Sequence, residues 1–304
     1  MGFTIIHLYS IMERMAMTNA TLLAKYYDTY KDTEIAFSKD IIKTVALDPR
    51  QIYLKCAEGQ WSCIINSLSF SLARIIIGTK GAAYEKLAKP NPPAGLSLRL
   101  CFYKQDGQQM SLFLSCKVKE IVPYMNSKDL VIVTLSYTQR PPDDLIERMG
   151  RLLEANDNAI KRKDDRIPIT PDSCRKLGIP KEECIAVIQN VPRRCILRDI
   201  SFGGAKIVIL GMAKYLKDKD VQLSLEFDDP HEVIQLKGNI IATAEVQGRK
   251  DMVVASIKYD EATLSLSYKI HINNYLIMVR KEDLAPQQAA PAQAAPQAFA
   301  TDEI

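Results

Sequence analysis

Residues 63–77, CIINSLSFSLARIII, return 132 positions later as CILRDISFGGAKIVI at 195–209. Seven of the fifteen positions are identical, and most of the rest exchange like for like: Ile65 with Leu197, Leu68 with Ile200, Arg74 with Lys206, Ile76 with Val208. The recurrence extends further. LSLRLCF at 96–102 is similar to VQLSLEF at 221–227, and DLVIVTLSY at 129–137 to DMVVASIKY at 251–259. These segments alternate apolar and polar residues and are rich in β-branched side chains, the pattern of half-buried antiparallel strands. Three such segments in the same order, twice, predict a small barrel or sandwich followed by a second copy of itself.

Helical patterns frame the two copies. Residues 18–31 are polar and helix-compatible, with Leu22, Leu23, Tyr26, Tyr27 and Tyr30 able to share a face. Between the copies, RPPDDLIERMGRLLEANDN ends a strand with two prolines and opens a helix on Asp143 and Asp144, with Leu145, Ile146, Met149, Leu152 and Leu153 at helical spacing. A closing helix is expected within 261–283, despite its β-branched content. The resulting division is an N-terminal segment (1–32), a first barrel (33–140), a helical linker (141–160), a second barrel (161–284) and a tail (285–304). The tail is rich in Ala, Pro and Gln and is expected to be disordered. The start holds an apolar stretch without a basic leader or cleavage site, and Met12, Met15 and Met17 follow closely, leaving the natural start open.

Composition narrows the function. A net charge of +4 is too mild for a dedicated nucleic-acid binder, and no basic strand carries interleaved aromatics, so nucleic acid is not expected as the sole partner. Seven cysteines, none in a C-x-x-C pair, read as reduced thiols of a cytoplasmic protein rather than metal ligands. His7, His231 and His271 are the only histidines, and none lies near a nucleophile motif. No membrane span, metal, cofactor or catalytic activity is expected.

The two copies differ where chemistry could enter. Ser67 becomes Asp199, Ser71 becomes Gly203 and Leu72 becomes Gly204. In Asp199-Ile200-Ser201-Phe202-Gly203-Gly204, alternation puts Asp199 and Ser201 on the face opposite Ile200. A carboxylate there can accept from the N1–H and N2–H edge of guanine, a hydroxyl can orient a ligand, and glycines admit positive φ and a flat ligand. The same residues also suit a strand-to-turn junction, with Asp and Ser bonding the local backbone. Upstream, Arg162 and Arg166 stand in Arg-x-x-x-Arg spacing within KRKDDR. Two guanidiniums can clamp phosphate and the O6/N7 edge of guanine, though such a run is more often a self-neutralised surface.

Together, Arg-x-x-x-Arg followed some thirty residues later by Asp-x-Ser-x-x-Gly resembles the two-part signature of PilZ domains, and residues 161 to about 280 resemble that family in motif order and strand pattern. The resemblance implies six-stranded antiparallel barrels and binding of the bacterial second messenger cyclic di-GMP. It implies that Arg162 and Arg166 grip guanine and phosphate, while Asp199, Ser201 and Gly204, flanked by Gly203, form the wall that reads the other guanine edge. It also implies that Lys161, just before the first arginine, influences whether one ligand or a stacked pair binds. The first barrel resembles a degenerate PilZ-like domain serving as partner or scaffold. The two-barrel arrangement resembles flagellar-brake receptors and, more closely, the dual PilZ receptors of spirochaetes. The expected function is therefore a non-enzymatic receptor, whose 157–170 segment is ordered by ligand and whose two halves then signal to a downstream protein. Motility, virulence and attachment are family-level settings. An adaptor with a vestigial pocket is the alternative.

Overall fold

The computed structural model describes residues 19–89, 93–104 and 106–287. The apolar opening and most of the Ala/Pro/Gln tail lie outside the described residues. Helix α1 covers 19–30. The first half then runs β1 (Ile35–Ala36), α2 (Lys39–Thr44), β2 (Tyr53–Cys56), β3 (Gly59–Ser62), β4 (Ile64–Leu68), β5 (Leu72–Gly78), α3 (Ala82–Leu87), β6 (Leu96–Tyr103), β7 (Gln109–Pro123) and β8 (Leu130–Tyr137). Helix α4 (Asp143–Lys161) leads to the second half: β9 (Ile167–Pro168), α5 (Pro171–Leu177), β10 (Glu183–Ile188), β11 (Val191–Ile200), β12 (Gly204–Leu210), α6 (Ala213–Leu216), β13 (Asp220–Asp228), β14 (His231–Val246), β15 (Arg249–Tyr259) and α7 (Leu266–Gln287).

The second half is a closed barrel. Its sheet order is β10-β13-β14-β15-β12-β11-β9, and β10 also pairs with β11, which closes six strands into a ring with β9 as an appendage. The first half is mainly β as expected, but its pairing order, β1-β4-β5-β8-β7-β6-β2-β3, is that of an open eight-stranded sheet. One position explains the difference. Cys195 lies inside the continuous β11 and pairs with Cys184 on one side and Ile209 on the other. Its counterpart Cys63 falls between β3 and β4 and enters neither ladder, so β3 pairs only with β2 and β4 with β5 and β1.

The duplication persists in the irregularities. The β4–β5 register shifts between Ile65 and Ser67, and β11–β12 shifts at the matching place, between Leu197 and Asp199. A second shift lies between Val118 and Glu120 in β7–β8 and between Ile240 and Ala242 in β14–β15. A bulge adds one residue and bends its strand, so the same two bends shape both sheets.

Each half has its own core, and α4 serves as the closing helix of the first: Leu145, Ile146, Met149 and Leu152 are buried there with Tyr26 of α1. Helix α7 does the same in the second with Tyr268, Ile272 and Leu276, and it also packs along α4. It runs through Gln287, three residues into the segment assigned to the tail. His231 opens β14, and His271 is a packing residue of α7, stacked on Phe227 with ring centroids 4.0 Å apart. All seven thiols are free; Cys184 is half-buried and the other six are buried.

Helices α1 and α4 approach closely at Gly150, where an added Cβ would lie 2.4 Å from Cδ2 of the buried Tyr26 ring. Gly150→Ala is therefore expected to overpack this contact and destabilise the protein by about 1–3 kcal/mol. Urea denaturation followed by circular dichroism measures it, and an unchanged midpoint would show that the ring moves aside without cost.

Candidate ligand-binding site

Three elements bring the motif residues to one side of the second barrel. Helix α4 ends at Lys161, and Arg162 caps it, donating its N–H to the Asn158 carbonyl at 2.8 Å. A turn follows, closed by Asp165 N–H to the Arg162 carbonyl at 3.1 Å. Strand β9 then pairs with the end of β11, Ile167 opposite Ile200 and Pro168 opposite Asp199. That pairing sets Arg166 on Asp199: the Arg166 Nη1 donates to Asp199 Oδ1 at 2.7 Å, although the two are 33 residues apart. Lys206, opposite Asp199 in the β11–β12 ladder, brings its Nζ to 3.8 Å from Oδ2.

The other cations of the segment are engaged nearer home. Arg162 Nε donates to Asp165 Oδ2 at 2.6 Å, and Lys161 Nζ lies 3.5 Å from Asp157, one turn back on α4. Lys163 reaches the barrel and pairs with Glu261, just beyond β15. The hydrogen bond within this pair raises the Lys163 pKa and lowers that of Glu261. The Lys163 carbonyl also accepts from Gly203 N–H at 2.9 Å. The 162–166 segment is thus tied to the barrel by main-chain and side-chain bonds of the chain itself.

Two details of the motif differ from expectation. Asp199 and Ser201 do not share an outer face, because Ser201 is only 1% exposed. Its hydroxyl closes the turn instead: Gly204 N–H donates to Ser201 Oγ at 3.1 Å, Ser201 N–H donates to the Gly204 carbonyl at 2.8 Å, and Tyr268 OH donates to the Ser201 carbonyl at 2.7 Å. The first half builds the same turn with Ser69, whose N–H donates to the Leu72 carbonyl at 2.8 Å and whose Oγ accepts from Leu72 N–H at 3.2 Å. Ser201 therefore has the local-backbone role open to it from sequence, which both copies share.

The glycines also act through space rather than positive φ, which neither adopts. A Cβ on Gly204 would stand 2.1 Å from the Ile257 carbonyl oxygen of β15, and one on Gly203 would stand 2.9 Å from Lys163 Cγ. Gly203 thus provides a seat for the Lys163 side chain. Lys206 was foreshadowed only as the match of Arg74, and the Arg162–Asp165 pair by the self-neutralising character of KRKDDR; Glu261, 98 residues from its partner Lys163, carried no signal.

Comparison with known proteins assigns the chain to a family. Residues 21–156 match the PilZN3 domain and residues 161–277 the PilZ domain. The chain is 40% identical over 285 residues to a cyclic di-GMP binding protein of Treponema denticola, covering 90% of each. It belongs to the PilZ family, in the two-domain form that joins a PilZN3 to a PilZ domain; PilZ proteins are receptors, not enzymes. Among solved structures it is similar to the PlzA protein of Borreliella burgdorferi in complex with c-di-GMP, at 22% identity and TM-score 0.37, over 84% of this chain and 99% of that one. It is also similar to YcgR from Escherichia coli in complex with c-di-GMP, at 14% identity and TM-score 0.26, over 83% and 90%. Among the described residues, no helix is long and apolar enough to cross a membrane, and no cluster of metal-ligating side chains occurs.

Ser201→Ala removes the acceptor for a buried N–H and is expected to cost about 1–3 kcal/mol of stability. Gly204→Ala forces β12 away from β15 and is expected to cost about as much, or to lower soluble yield. Urea denaturation of both variants tests this; a Ser201→Ala midpoint equal to wild type would remove the turn-closing role.

Proposed function

We propose that the chain is a cyclic di-GMP receptor that takes its ligand between the 161–166 segment and the β11–β12 turn of the second barrel. The observation that carries this reading is the meeting of Arg166 and Asp199 at 2.7 Å, which brings the two halves of the motif together. The relative at 40% identity, a cyclic di-GMP binding protein by name, supports the same ligand. In this reading Arg162 and Arg166 take phosphate and the guanine O6/N7 edge, Asp199 accepts from guanine N1–H and N2–H, and Lys161 stands where a second ligand's phosphates would come. Gly203 and Gly204 keep the β11–β12 wall flat, and Ser201 holds its turn.

The energetics suffice. Micromolar affinity needs ~8 kcal/mol, and charge-assisted hydrogen bonds contribute about 1.5–3 kcal/mol each. Arg162 sits at the end of α4, which packs on α1 and on α7, so a ligand that repositions Arg162 acts on the helix common to both halves. A change in the arrangement of the halves follows if the ligand binds one arrangement more tightly than the other. The rearranged surface would then signal to a downstream protein in a soluble compartment.

Calorimetric titration of cyclic di-GMP, with GMP as control, tests the assignment. Wild type is expected to bind, and Arg162→Ala or Arg166→Ala to weaken binding by about 10- to 100-fold, the worth of one charged contact. Its stoichiometry separates one ligand from a stacked pair. No heat with a folded wild type would leave the adaptor reading, in which both halves act through protein contacts alone.

A further inference from the structure

We propose that Asp165 is an internal competitor for the ligand's phosphate, a carboxylate inside the clamp that sets its affinity; this rests on the receptor reading above. Arg162 Nε already donates to Asp165 Oδ2 at 2.6 Å, within charge-assisted hydrogen-bond range. The guanidinium cannot present the same N–H to a phosphate while the carboxylate holds it. Asp165 occupies the Nε–H of a guanidinium that has five N–H donors, so a phosphate that takes the Nε edge exchanges one anion for another, and one that takes the Nη groups shares the guanidinium charge with the carboxylate; in both cases the net gain is reduced by the internal pair.

The same logic holds along the segment, but only Asp165 is separable. Asp199 faces Arg166 and Lys206 and is itself assigned to guanine. Glu261 fixes Lys163, whose side chain lies against Gly203. The side chain of Asp165 has the Arg162 pair, while its turn is closed by its main-chain N–H, a bond that asparagine keeps. Asp165→Asn thus removes the competing charge and preserves the local backbone. Its neighbour Asp164 carries the same charge one residue away and serves as the control for the general field of a carboxylate near a dianionic ligand.

The experiment is calorimetric titration of cyclic di-GMP into wild type, Asp165→Asn and Asp164→Asn at ~0.15 M salt, where exposed charges beyond about 8 Å are largely screened. Releasing a half-exposed ion pair is expected to tighten Kd about two- to five-fold in Asp165→Asn. Asp164→Asn is expected to gain less than half of that. An unchanged or weaker Kd in Asp165→Asn, or an equal gain in Asp164→Asn, would overturn the proposal while leaving the receptor reading intact. Failure of wild type and both folded variants to bind would remove the receptor reading, and this inference with it.

Discussion

The architecture depends on one helix with two sets of neighbours. Helix α4 fills the core of the first half with Leu145, Ile146, Met149 and Leu152, and it packs along α7 of the second. Its carboxylate at Glu154 is only 6% exposed. Tyr26 OH of α1 donates to it at 2.8 Å, Asn273 Nδ2 of α7 lies 3.5 Å away, and Lys25 Nζ 3.5 Å from its other oxygen. A buried charge is costly unless hydrogen-bonded and paired, and removing one partner leaves the remainder exposed to that cost. Here the partners come from both halves, so the electrostatic satisfaction of one side chain requires α1, α4 and α7 to stay together. Burial, and then the bond to Glu154, raise the Tyr26 pKa, which keeps its hydroxyl a donor.

The last turn of α4 continues this arrangement up to the candidate site. Tyr30 donates to Asp157 at 3.2 Å from one side, and Asn158 donates to Asn273 at 2.6 Å on the other. Arg162 follows directly. The end of α4 at Arg162 is therefore held by both halves, and the 162–166 segment is bonded to the barrel at Lys163 and Arg166. Helix α4 and the bonds to Gly203, Glu261 and Asp199 define the position of the segment.

Much of this was legible in the chain. Repeat, strand pattern and a helix within the 141–160 linker follow from periodicity, because half-buried strands and an amphipathic helix must alternate apolar residues with the period of their backbone. Arg166 and Asp199 could be paired only by a family's motif order, since spacing alone cannot tell a clamp from a self-neutralised surface. What escaped was set by neighbours distant in the chain. The burial of Ser201 comes from Tyr268 of α7 closing over its carbonyl, and the need for Gly204 from the Ile257 carbonyl of β15. Alternation fails at Ser201 because the strand ends one residue earlier, at Ile200. Nor does composition show that Cys63 drops out of the ladder while Cys195 remains, as the two phrases are equally apolar around them.

The first half shows what the same framework does once the charges are rearranged. Counting along the repeat, Glu34 stands where Arg166 does, Ser67 where Asp199 does, and Arg74 where Lys206 does. β1 delivers Glu34 to this spot as β9 delivers Arg166, through the matching pair Ile35 opposite Leu68. Arg74 Nη1 donates to Glu34 at 2.8 Å and Ser67 Oγ donates to the same oxygen. The carboxylate has moved from the strand to the lead-in, and the strand offers a hydroxyl where the second half has Asp199. Tyr30 replaces Arg162 and donates to Asp157 of α4. Tyr26 and Tyr30 of α1 thus both bond carboxylates of α4. In this half, the position matching Arg162 holds the linker helix, while those matching Arg166, Asp199 and Lys206 bond one another.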